Sequence, residues 1–200
     1  MKDLYLLMHG IAVKKYCDLD ELCAVTRLSP VSAQTLLGEA LAKGRVVEVN
    51  GKYALTPAGQ ITLRSSYAGA CGPLRADPGF MSAYEAFEEI NQDLKQVITD
   101  WQTMTIGGEK VPNDHSDRTY DESIIDRIGR IHEKVEKIVK RLATQVPRME
   151  RYSEKLLEAL ERAEDGDIQW VSDARMESYH TLWFELHEDL LRLVGRERQE

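Results

Sequence analysis

Apolar residues follow the helical spacing of three and four along most of the chain and alternate in only two short runs. Leu4, Leu7, Met8 and Ile11 mark one face of a first helix over residues 2 to 15. Asp18-x-x-Glu21 has the form of a capping box, and Leu19, Leu22 and Cys23 with Val25 or Leu28 supply the buried side of a second. The third runs from 30 to 43. Ser29 is its N-cap, Pro30 suits its first position, Ala33, Leu36, Leu37, Ala40 and Leu41 form its stripe, and Gly44 can end it in the left-handed conformation. The alternating runs, Arg45 to Val49 and Lys52 to Leu55, flank Asn50-Gly51 and predict a hairpin. Thr56-Pro57 then restarts a helix from Ala58 to about Tyr67.

From Ala68 to Gly79 the glycine- and proline-rich text has no period and predicts a domain boundary or hinge. Four amphipathic helices follow. Tyr84, Phe87, Leu94 and Trp101 mark the first, over about 80 to 102, and Ile124, Ile128, Val135 and Leu142 the second, over about 121 to 144. Met149, Tyr152, Leu156 and Leu160 mark a third that ends at Asp165-Gly166, and Tyr179, Trp183, Leu186, Leu190 and Leu193 a fourth over about 172 to 194. Each carries one stripe, so covering them calls for an antiparallel helical bundle. Residues 103 to 120 form a long connection with no element of their own, and Asn113 to Asp117 within it is expected to be a turn followed by a helix cap.

The chain has 200 residues, 42% hydrophobic and 30% charged, with no apolar run of membrane-spanning length, and is expected to be cytoplasmic with no membrane partner. Three cysteines, Cys17, Cys23 and Cys71, without metal-type spacing, speak against a disulfide framework or structural zinc; two are expected in the core and Cys71 as an exposed thiol in the linker. The net charge of −8 is unevenly spread. Residues 1 to 76 hold nine Lys/Arg against six Asp/Glu, a net of +3, and the remainder seventeen against twenty-eight, a net of −11.

The Ser29-Pro30 cap, the passage LLGEALAKGRVVE and the exit YALTPAG at 53 to 59, preceded by two short helices, resemble the winged helix-turn-helix domain of bacterial transcriptional regulators of the MarR and PadR kind. The resemblance covers roughly residues 1 to 75. It implies a winged helix-turn-helix with a small β-hairpin wing at 1–75; with the antiparallel helical bundle that the stripes predict at 76–200, expected to serve effector response and dimerisation, the fold is mainly α. The implied function is a dimeric regulator that binds double-stranded DNA and answers a small-molecule effector or a protein partner, with no enzymatic activity and no cofactor.

If the third helix enters the major groove, Gln34 could read adenine bidentately, and Ser32 or Thr35 could bond a phosphate or base edge. Phosphate contacts would come from Arg27, Ser29, Lys43, Arg45 and the wing residue Lys52. That helix carries no Lys or Arg before Lys43, and Glu39 opposes phosphate, which keeps open an alternative: a non-DNA accessory protein whose winged helix docks on another protein. In the bundle, Tyr84, Trp101, Tyr179, His180, Trp183 and His187 are candidates for an effector pocket or for core. Glu177-x-x-His180, with His132, Glu133 and Glu136, also raises a metal-holding enzyme, although no second such pair completes the ligand set.

Overall fold

The computed structural model describes residues 2–197 and is mainly α-helical with two small antiparallel hairpins. The chain divides into two compact units. One comprises the chain up to Asp77 and again from His187 onward; the other is Pro78–Leu186. The expected second domain, 76 to 200, therefore gives its last segment to the first unit, and its positions 198–200 lie outside the described residues.

In the first unit, α1 (Lys2–Lys14), α2 (Leu19–Thr26) and α3 (Pro30–Ala42) precede β1 (Val46–Val49) and β2 (Lys52–Leu55), and α4 (Pro57–Ala76) follows. The local signals operate as their chemistry dictates. Asp18 accepts from the Glu21 amide at 2.9 Å while Glu21 accepts from the Asp18 amide at 2.8 Å, which satisfies two orphan donors of α2. Asn50 and Gly51, with φ of 52° and 77°, make the tight turn that sets Val49 opposite Lys52 and Val46 opposite Leu55. β2 also bridges Cys17, through Tyr53 N–H donating to the Cys17 carbonyl at 2.7 Å. Leu7, Ile11, Leu22, Val25, Leu37 and Val46 close the core over these elements.

The expected hinge is not one. Residues 68 to 76 continue α4, and only Asp77 separates it from α5 (Pro78–Gln102). Tyr67 and Cys71 are anchored in the unit's interior, Tyr5 Oη lying 3.1 Å from Cys71 Sγ, and this anchoring outweighs Gly69, Gly72 and Pro73. Cys71 is thus buried and not an exposed linker thiol; Cys17 is buried and Cys23 half-buried. Arg75 caps the other end of the chain: its Nε donates to the Leu193 carbonyl at 2.8 Å, at the C-terminus of α9 (Tyr179–Val194).

In the second unit, α5 packs along α6 (Arg118–Ala143), and α6 along α7 (Glu150–Glu164); α8 (Gln169–Ser172) packs on α7. The long connection holds a second hairpin, β3 (Thr103–Ile106) and β4 (Glu109–Pro112), turned at Gly107-Gly108, where no element was expected. Asp117 caps α6 by accepting from the Tyr120 amide at 3.1 Å. Tyr179–Leu186 of α9 belongs to this unit, and His187 onward to the first. No helix is long and apolar enough to cross a membrane among the described residues.

Candidate functional site

The outward face of α3 is built by what fixes its inner one. Ala33, Leu37 and Ala40 are buried, so Ser32, Gln34, Thr35, Gly38 and Glu39 fall on the exposed side. Its entry is held by a three-residue turn. Arg27 takes φ 58° and donates its N–H to the Cys23 carbonyl at 2.8 Å, while the Thr26 hydroxyl donates to the Leu22 carbonyl at 2.7 Å. Ser29 then accepts from the Ser32 amide at 3.2 Å. At the exit, Gly44 (φ +64°) passes the chain to β1, and Thr56 ties the hairpin back by donating to the Gly44 carbonyl at 2.7 Å.

The polar groups on this face differ in what they have left to give. The Thr35 hydroxyl donates to the Val31 carbonyl at 2.9 Å, and Ser29 Oγ lies 2.9 Å from Ser32 Oγ. Among the described residues Gln34 makes no side-chain hydrogen bond and Arg45 no ion pair. Lys43 sits 3.6 Å from Glu39 and Lys52 3.3 Å from Glu21, with all four side chains partly exposed. Lys52 also lies over the Tyr16 ring, 5.7 Å from its centroid. Arg27 and Ser29 are exposed at the turn. Val31, Val47 and Val49 add apolar surface, exposed by 74%, 42% and 48%.

Charge is less lopsided than the linear division implied. With the chain from His187 onward included, the first unit holds twelve basic against eleven acidic residues, a net of +1.

The aromatic and histidine set of the second unit is packed into its interior. Trp183 Nε1 donates to Asn91 Oδ1 at 3.0 Å and its ring stacks on Phe87 at 5.1 Å; Tyr179 Oη lies 3.5 Å from His132 Nδ1. Tyr84, Trp101, Tyr179 and Trp183 are 1 to 3% exposed, and His180 is half-buried. Trp101 packs at a tilt against His115, with ring centroids 4.5 Å apart; His115 is joined to Asp121 at 3.0 Å, and Asn113 donates to the same carboxylate at 2.8 Å. Glu177 is held by Arg151 at 2.9 Å, which turns its carboxylate to a guanidinium. Among the described residues no group of three or more His, Cys, Asp or Glu stands close enough to hold a metal ion.

A buried polar chain in the first unit was not anticipated. His9 Nε2 lies 2.8 Å from Asp189 Oδ1 and its Nδ1 2.9 Å from the Tyr67 hydroxyl, with His9 1% and Asp189 0% exposed. The carboxylate can only accept, so Nε2 carries a proton; with neutral imidazole, Nδ1 then accepts from Tyr67. Burial pushes the Tyr67 phenol well above its ordinary range, with Arg192 pulling the other way. The signal was present: a histidine on the apolar stripe of α1 must find a partner once buried. What the stripe does not say is that the partner lies 180 positions away.

Compared with family models, with curated proteins and with solved structures, the chain matches none.

Proposed function

We propose that the chain is a DNA-binding transcriptional regulator of the winged helix-turn-helix kind, in which α3 enters the major groove and the β1–β2 wing lies along the flanking backbone. The observation that carries this reading is Gln34: an exposed amide in the middle of a capped helix, with both its donor and its acceptor unspent. A glutamine so placed can pair with adenine in two hydrogen bonds. Arg45, where α3 hands over to the wing, makes no ion pair among the described residues and would serve as a phosphate contact. The Lys52–Glu21 and Lys43–Glu39 pairs are exposed ones, worth about 0–1 kcal/mol, which a phosphate can displace. A homodimer is expected to present two such helices to half-sites one helical turn apart, and a ligand or partner of the chain would act on their spacing.

A second reading has its own observation. The paired lysines and the exposed Val31, Val47 and Val49 suit a protein surface better than a polyanion, so this face could dock on another protein.

The two separate in a titration of labelled duplex from the chain's own upstream region across salt, beside Gln34→Ala and Arg45→Ala variants. The regulator reading expects affinity to fall steeply with salt, Arg45→Ala to weaken all duplexes alike, and Gln34→Ala to relax preference at a single position by about 1–3 kcal/mol. Binding that ignores salt, or that both variants keep in full, would transfer the assignment to protein docking.

A further inference from the structure

Two features of the outward strip of α3 find no use in adenine pairing by Gln34. Val31, Gln34, Thr35 and Gly38 stand three and four positions apart, so they share one face, and all four are exposed. Val31 is the first feature. At 74% it is the most exposed of the large hydrophobic residues described, and a β-branched side chain so placed lowers helix propensity with no packing in return. Thr35 adds to it: its hydroxyl proton is spent on the Val31 carbonyl at 2.9 Å, which leaves it a methyl group and no donor.

Gly38 is the second feature. It lies mid-way along the same strip, and a built Cβ would meet nothing within 4 Å, so no contact inside the chain calls for a glycine. Alanine would favour the helix at no steric cost. What a bare Cα offers is close approach by something outside the chain.

Resting on the regulator reading and naming the bases it takes, we propose that α3 reads A·T pairs. Gln34 pairs with an adenine, the methyl groups of Val31 and Thr35 cover the methyl group of a thymine in the same or the next base pair, and Gly38 lets the helix sit close enough for both. Thymine alone carries a methyl group in the major groove, and apolar contact is what recognises it. Residues 31 and 34 are about 4.5 Å apart along the helix axis, against about 3.4 Å between base pairs, which sets the two contacts on one pair or on neighbours. Arginine and lysine, the usual readers of guanine, are missing from α3. A cytosine amino group set against Val31 would lose its water and gain no acceptor. A protein partner would reward Val31 as well, but its binding would not depend on a single methyl group of DNA.

The test starts from duplexes that the full chain selects out of a random library. Each thymine of the tightest duplex is replaced in turn by deoxyuridine, which removes the methyl group and keeps every hydrogen bond, and affinity is measured for the wild type, Val31→Ala and Gly38→Ala. Replacing the contacted thymine is expected to cost the wild type about four-fold, the worth of one buried methyl group. Val31→Ala is expected to bind the unreplaced duplex at least about four-fold more weakly and to be indifferent to that replacement. Gly38→Ala is expected to lose on the order of ten-fold, as a methyl group intrudes where the helix meets the groove. Both positions are exposed and alanine favours a helix, so melting temperatures are expected to hold or rise, which separates lost binding from lost folding. Salt-dependent binding in which every thymine can be replaced without loss, or a methyl effect that Val31→Ala keeps in full, overturns the proposal and leaves the regulator reading standing. Full affinity in Gly38→Ala overturns the close approach. No duplex selected at any salt concentration overturns the regulator reading and the proposal with it.

Discussion

His132 shows how one side chain sets a pH dependence. Its ring is buried on the stripe of α6 that Ile128 and Val135 continue, and burial pushes its pKa below the ordinary value near 6.5, against the opposing pull of Glu136 and Glu133. The folded chain therefore binds fewer protons at this site than the unfolded chain between its lowered pKa and the ordinary value. The contribution is fully present above the ordinary value, and stability falls as acid carries the unfolded imidazole through it. His132→Gln is expected to flatten that part of the acid limb, read as urea midpoints from about pH 8 to about pH 5. An unchanged slope would mean that other groups set it. The position was legible, because period alone puts residue 132 among isoleucines; its environment was not, because the partner Tyr179 comes from a helix 47 positions on.

At the scale of elements, the clearest contrast is between two glycines. A Cβ on Gly59, in the first turn of α4, would stand 2.0 Å from the Arg45 carbonyl, so α4 can approach the hairpin only where that atom is missing. Gly38, mid-way along α3, has nothing within 4 Å of a built Cβ. Gly59→Ala is expected to destabilise by roughly 1–3 kcal/mol or more through backbone displacement, and Gly38→Ala to stabilise by roughly 0.5–1 kcal/mol through helix propensity. Chemical denaturation of the two variants checks both signs, and a stabilising Gly59→Ala would contradict this packing. Caps and turns were legible because they are local: Ser29, Asp18 with Glu21, Asn50-Gly51. The helical run through Gly69, Gly72 and Pro73 was not, since the burial of Tyr67 and Cys71 that sustains it depends on α1. The second hairpin was missed for a different reason. Gly107-Gly108 between Thr103, Thr105, Ile106 and Val111 is a hairpin signal, but its strands are four residues each and lack a buried face.

For the whole molecule, the decisive fact is that the first unit is made from both ends of the chain. Asp189 is fully buried against His9, and Arg75 is spent on the carbonyls of Leu193 and Arg192. Removing one partner of such a buried pair costs about 3–5 kcal/mol, so a chain ending at Leu186 is expected to lose amide-exchange protection in peptides from 2 to 77 and keep it in peptides from 78 to 186. Unchanged protection in the first set would show that the unit closes without its last segment. The exposed face of α3 was readable from sequence, whereas the pairing of His9 with Asp189 was not, because the partner comes from 180 positions along the chain. This same arrangement dictates a timetable. Asp189 is made 180 positions after His9, so during synthesis the His9–Asp189 bond must wait while the whole intervening unit is made and can fold. The part of the first unit that precedes Pro78 thus finishes folding after the unit that follows it, and until then it is a client for whatever shields half-built cores in the cell.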